Sequence, residues 1–218
     1  MRTATDIANM TCDFLDVDPI GNIETDRSGM ARALKRNYDE AVLTVIREFS
    51  WNCATTRSKL NKIVLPAGFT VDITDHQNAW ALPSNNLGVI DINGRPYTET
   101  SHAIETIAIY DSAGVEVSAR EVMWCDEEQV ILRHKRLISA ADMDPHLAKA
   151  VAIELAIRCV MKATNSTQKA AQLESMYKDA TRGSTGRIGG HQVSSRENNA
   201  KRPRPLLSTG GAARAGSI

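Results

Sequence analysis

Apolar positions recur three and four residues apart towards both ends of the chain and fall into short alternating runs between them. Ala4, Ile7, Ala8, Cys12 and Leu15 make the first stripe and predict a helix over residues 3–15, which Asp18-Pro19 and Gly21-Asn22 break. A second helix is predicted from an N-cap at Ser28 to near Trp51. Met30, Leu34, Tyr38, Ala41, Val45 and Phe49 line one side of it, and Val42 and Ile46 widen the stripe. From Cys53 to about Ile138 the texture is that of strands and tight turns. Asn93-Gly94 separates Val89, Ile90, Asp91 and Ile92 from the segment around Tyr97, a hairpin signal because both residues tolerate positive φ. Asp111, Ser112, Ala113 and Gly114 stand in the same way between two apolar runs. A third pair is expected between Val122, Met123, Trp124 and Gln129, Val130, Ile131, Leu132.

Helical spacing returns after Asp144-Pro145, an N-cap followed by proline at the first helical position. Leu147, Ala148, Val151, Ala152, Leu155, Cys159 and Val160 give this third helix a wide apolar face, rich enough in alanine for neighbours to approach closely. Asn165 with Gln168 three residues later resembles a capping box for a fourth helix striped by Ala170, Leu173, Tyr177 and Ala180. The periodic pattern stops beyond Arg182, where Gly, Ser, Arg and Pro dominate. The expected fold class is α+β: an antiparallel bundle of four main helices with an inserted small antiparallel β module and a long extended C-terminal tail. The expected division is 1–52 with 139–182 as the bundle, 53–138 as the β module and 183–218 as a tail that orders on contact with a partner.

With 218 residues, 23.8 kDa and 42% hydrophobic residues, the chain has material for a sizeable core. No run approaches the ~20 apolar residues of a spanning helix, and no apolar leader opens the sequence, so no membrane association is expected. Cys12, Cys53, Cys125 and Cys159 form no Cys-x-x-Cys pair and read as reduced, partly buried thiols of a cytoplasmic product. The 26 basic and 26 acidic residues cancel, but unevenly. Residues 182–218 hold seven cations and one acid, Glu197, leaving +6 on the tail and −6 on the rest. An acidic body with a basic tail points to a polyanionic or acidic partner for the tail.

Catalytic signatures are sparse. His134 lies within Arg133-His134-Lys135-Arg136 and reads as a solvated basic strand end. His76, His102, His146 and His191 make no metal-binding pair, and no nucleophile elbow, phosphate loop or dinucleotide fingerprint occurs. Asp13, Asp16 and Asp18 lack the spacing of a calcium loop, and Asp126, Glu127 and Glu128 are merely contiguous. No catalytic residue, metal or cofactor is expected. The most informative segment is Lys201-Arg202-Pro203-Arg204-Pro205-Leu206-Leu207, where clustered cations and stiff prolines end on an apolar anchor. Phosphate contacts explain the cations alone, whereas an extended peptide lying in a protein groove uses the leucines as well.

Three stretches together resemble the head-to-tail adaptors of tailed bacteriophages, the class called tail tubular protein A in short-tailed phages. The helix over 31–49 runs into Ser50-Trp51-Asn52-Cys53-Ala54 and then Ser58-Lys59-Leu60, similar to the Trp-Asn-Phe-Ala-like passage into the β region of such adaptors, with Cys53 in place of the usual aromatic. Ala79-Trp80-Ala81-Leu82-Pro83-Ser84-Asn85-Asn86-Leu87 is similar to a Tyr-x-Leu-Pro-x-Asp-Cys-Leu pattern, with Asn85-Asn86 in place of Asp-Cys. The alanine-rich helix around 147–161 stands where the family has one. The resemblance spans roughly 1–181 and implies a structural virion protein at the head-tail junction, assembled in the host cytoplasm. It would be a homo-oligomeric ring, dodecameric in that family, between the portal protein and a tail nozzle of the tail tubular protein B kind. Double-stranded DNA would pass through it without sequence-specific binding. On this reading Arg196, Lys201, Arg202, Arg204, Leu206 and Leu207 contact the portal. Asn93 and Gly94, with Asp111, Ser112 and Gly114, form loop tips for the nozzle or a neighbouring subunit. The alternatives are a DNA-binding protein using its basic C-terminal arm and, more remotely, a virion-associated cell-wall hydrolase built on two converging carboxylates.

Overall fold

A computed structural model of the chain describes residues 1–63, 76, 78–110 and 116–182. Helix α1 (Ala4–Leu15) starts in a complete capping box, in which Thr3 and Asp6 satisfy each other's backbone N–H groups. Helix α2 (Gly29–Glu48) is capped by Ser28, which accepts from the Ala31 N–H. Seven strands follow: β1 (Thr55–Lys59), β2 (Asn78–Ala81), β3 (Asn86–Ile92), β4 (Arg95–Pro96), β5 (Ala103–Tyr110), β6 (Glu116–Cys125) and β7 (Ile131–Arg136). Helix α3 (Pro145–Ala163) is capped by Asp144, and α4 (Thr167–Thr181) closes the described chain. The cap of α4 is Ser166, which accepts from Lys169 N–H, and not Asn165, which takes a left-handed φ of 50° just before it.

The chain is α+β, but a four-helix bundle carrying a small inserted β module is not what forms. The strands make two antiparallel sheets, one in the order β1-β7-β3-β4 and the other β2-β6-β5, and helices and sheets are interleaved. The helices do not close a ring of neighbours; α1, α2 and α4 each pack on α3. The reason lies in α3 itself, where Leu147, Ala148, Ala150, Val151, Ala152, Ile153, Leu155, Ala156, Cys159 and Val160 are all buried, which leaves little of its circumference polar. Thr11 of α1 approaches so closely that its hydroxyl donates to the Ala152 carbonyl at 3.1 Å. Helix α2 also packs on β3 and β7. One core cluster joins Val45, Ile46, Leu147 and Val151 of the helices to Trp51, Ala54, Ile138 and Leu87, the last from β3. Burying each of its large side chains contributes about 1.5–3 kcal/mol, so helical and β layers stabilise one another.

The two sheets face each other across a second cluster, with Ile92 and Leu132 from one side and Trp80, Met123 and Cys125 from the other. The chain changes sheet four times, after β1, β2, β4 and β6. Leu60 N–H still bonds the Val130 carbonyl at the end of β1, whereas Asn61 and Ile63 already bond Ala81 and Ala79 beside β2. The last switch lies between β6 and β7, so Val122–Trp124 and 129–132 are not paired as the sequence suggested. β6 pairs with β2 and β5, and β7 with β1 and β3. Apolar alternation is the same whether two strands lie side by side or stack face to face, and here they stack. Among the described residues no helix is long and apolar enough to cross a membrane.

Candidate functional site

The passage from α2 into β1 is where most elements meet. Phe49 caps α2 in extended conformation and stands edge-on to Trp51, with ring centroids 6.4 Å apart. Trp51 is fully buried; its indole N–H donates to the Val45 carbonyl at 3.0 Å and its own carbonyl accepts from the Thr55 hydroxyl at 2.7 Å. Trp51 thus ties the last turn of α2, through its side chain, to the first residue of β1, through its backbone carbonyl. Cys53 beside it donates to Asp144, the cap of α3, at 3.4 Å. Burial pushes the Cys53 thiol up to about 11, and burial raises the other three thiols as well, so all four free cysteines are poor nucleophiles at neutral pH.

Glu48, in the last turn of α2, gathers the surrounding charges. Its carboxylate accepts from the Tyr177 hydroxyl at 2.8 Å and from the Arg182 guanidinium at 2.9 Å. The same guanidinium lies 5.9 Å over the Phe49 ring. Lys135 of β7 donates to the carbonyl of Arg47, close enough for Glu48 to favour its charged form against the cost of burial. Burial, followed by the bond to Glu48, holds the Tyr177 phenol well above its ordinary range, so it remains a proton donor. The end of α4, from which residues 183–218 continue, is therefore clasped to α2, which Lys135 in turn joins to the first sheet. Sequence reading passed over this clasp. Its one local signal is an acid in the last turn of a helix, where the macrodipole disfavours a negative charge unless a partner is supplied.

Asn93 and Gly94 form the β3–β4 turn, both at positive φ (54° and 82°), and both are exposed. The Asn93 side chain is nevertheless committed inside the molecule. Its amide donates to the Gln129 carbonyl at 2.9 Å and to Glu127 at 3.3 Å, and its oxygen accepts from Ile131 N–H at 2.8 Å. It braces the β6–β7 connection, which leaves Gly94 as the accessible tip. Asp111, Ser112 and Gly114, and the portal-contact candidates Arg196, Lys201, Arg202, Arg204, Leu206 and Leu207, lie outside the described residues.

His134 is not a solvated strand end. It is fully buried, with Nδ1 donating to the Lys135 carbonyl at 3.2 Å and Nε2 accepting from the Ser58 hydroxyl at 3.1 Å. His76 does bring together a Ser–His–Asp chain, with Nδ1 3.2 Å from Asp126 and Nε2 3.4 Å from Ser101. Asp126 is 60% exposed, so water screens its charge and it does not orient the ring as the buried acid of a nucleophilic triad does. Ser101, Asp126 and Glu127 line an open groove of about 310 Å³ with Arg95, Glu99 and Thr100. A larger groove of about 600 Å³ runs between the sheets beside β1, lined by Lys59, Asn61, Pro83, Arg120 and Glu121 among others.

No protein-family model matches the sequence, and no curated protein matches it.

Proposed function

We propose that the chain is a head-to-tail adaptor of a tailed bacteriophage, a structural virion protein that forms a ring between the portal protein and the tail nozzle. The observation that carries this reading is the α2–β1 passage. Ser50-Trp51-Asn52-Cys53-Ala54, one of the three stretches that resemble such adaptors, is also where the helices and the first sheet are fastened together through Trp51. A ring subunit under load from a packaged genome needs its layers locked at such a point. The Glu48 clasp supports the assignment of residues 183–218 to portal docking, because it starts that basic segment from a fixed place. The segment then orders on the portal surface, its cations and the Leu206-Leu207 anchor covering extended area at an entropic cost. Gly94 and residues 111–114 serve the nozzle or a neighbouring subunit, and DNA passes without base readout.

The test is electron microscopy of the purified chain mixed with the portal ring of the same phage, with a form ending at residue 182 run beside it. The expected result is a second ring under the portal with the full-length chain alone. If neither form adds a ring, the adaptor reading fails, and salt-dependent DNA binding is the next measurement.

A further inference from the structure

A sheet edge left open is a hazard that proteins ordinarily blunt with charge, proline or a covering segment. Among the described residues, the edges of the two sheets are treated very differently. β4 is only two residues long and ends on Pro96. The outer side of β2 is covered by Lys62 and Ile63, which pair with Trp80 and Ala79. β1 carries Arg57 and Lys59, both exposed. β5 has none of these protections: it is eight residues long, its only charge is Glu105, and its pairing with β6 is irregular only at the far end, between Ile109 and Tyr110. Ile104 near its start is 44% exposed. No described strand lies beyond β5.

Charge divides between the sheets in a complementary way. The strands of the first sheet carry Arg57, Lys59, Arg95, Arg133, Lys135 and Arg136 against the single acid Asp91. In the second sheet the acids Glu105, Glu116 and Glu121 outnumber Arg120. The basic side is also strained within one copy. Arg57 stands directly opposite Arg133, a like-charge pair that destabilises a sheet, and Asp91 at 3.5 Å answers Arg133 only. Among the described residues Arg57 and Lys59 are in no ion pair.

We infer that the open β5 edge of one copy pairs along the β1 edge of a second copy, joining the acidic sheet of each subunit to the basic sheet of the next. β1, at five residues, fits within the eight of β5, and Glu105 faces the uncompensated Arg57 and Lys59, which share one face of β1. The two surfaces differ, so the contact is head-to-tail and repeats around a ring, whereas a self-complementary contact stops at a dimer. The inference deepens the proposed ring and supplies its lateral contact.

Disulfide trapping tests it on the full-length chain. Thr106→Cys on β5, at an exposed position, and Thr56→Cys on β1, at a half-buried one, stand opposite each other when Glu105 meets Arg57 in antiparallel register, and the buried or half-buried native thiols provide the wild-type blank. Mixing the two variants should give a disulfide-linked dimer that neither gives alone. In parallel, sedimentation should show self-association weakened about tenfold by Glu105→Arg and restored when Arg57→Glu is added in the same chain. Linkage of Thr106→Cys to itself, or no mixed product whether or not the wild-type chain oligomerises, overturns the contact. Mixed linkage by a chain that adds no ring to the portal overturns the place under the portal and leaves the contact standing.

Discussion

His134 shows how a single side chain can be misjudged by its neighbours in sequence. Flanked by Arg133, Lys135 and Arg136 it reads as part of a solvated cationic run, yet strand alternation turns it inward while Arg133 and Lys135 turn outward. A basic run and an alternating strand look alike until the inner face is known, and Ser58, its partner, is distant in sequence. Burial above all, helped by Arg136, holds its pKa below the ordinary 6.5. The folded chain therefore keeps the ring neutral where the unfolded chain takes up a proton. Its contribution is complete above about pH 6.5 and is lost as pH falls towards the folded pKa. Urea unfolding should accordingly give a lower midpoint at about pH 5.5 than at about pH 7.5. His134→Gln should unfold about 1–2 kcal/mol more easily at neutral pH and lose its share of the acid-side decline.

At the scale of the element, what was legible was what is encoded locally. Ser28 and Asp144 cap their helices as the sequence indicated, since a cap depends on three or four consecutive residues, whereas Thr3, read as the first residue of its helix, is the cap of α1. The Asn93-Gly94 turn was readable for the same reason. Gly94 at φ 82° has nothing within 4 Å of where a Cβ would stand, so conformation and not crowding requires glycine there. Gly94→Ala should destabilise the chain by about 1–2 kcal/mol, measured by denaturant unfolding, with the β3–β4 register kept by Asn93. Strand partnership was not readable. Whether β6 continues to β7 in one sheet or turns over into another depends on which apolar faces meet, and Met123 and Leu132 are equally apolar in either arrangement. The helix Asp144 opens was expected to have one wide face; its burial on nearly every side is a property of its neighbours.

For the molecule as a whole, the alanine-rich sequence of α3 did announce close helix approach, but not that three helices would share it. Ala152 is fully buried with its carbonyl bonded to Thr11, which leaves no room for a longer side chain. Ala152→Leu should lower stability by about 1–3 kcal/mol by forcing α1 outward, seen as a fall in the thermal midpoint. The clasp at Glu48 was invisible in the sequence because its members, Glu48, Tyr177 and Arg182, are brought together only by the fold. Its consequence is mechanical. Arg182 is the cap of α4, its N–H bonded to the Lys178 carbonyl at 2.8 Å and its guanidinium to Glu48, so tension applied to the chain beyond it is shared between the last turn of α4 and Glu48. From Glu48 the load divides along the axis of α2 and, through Trp51, across the strands of the first sheet. A subunit held by its C-terminal segment is thus hung from two elements at once, and its own helix end bears only part of the pull.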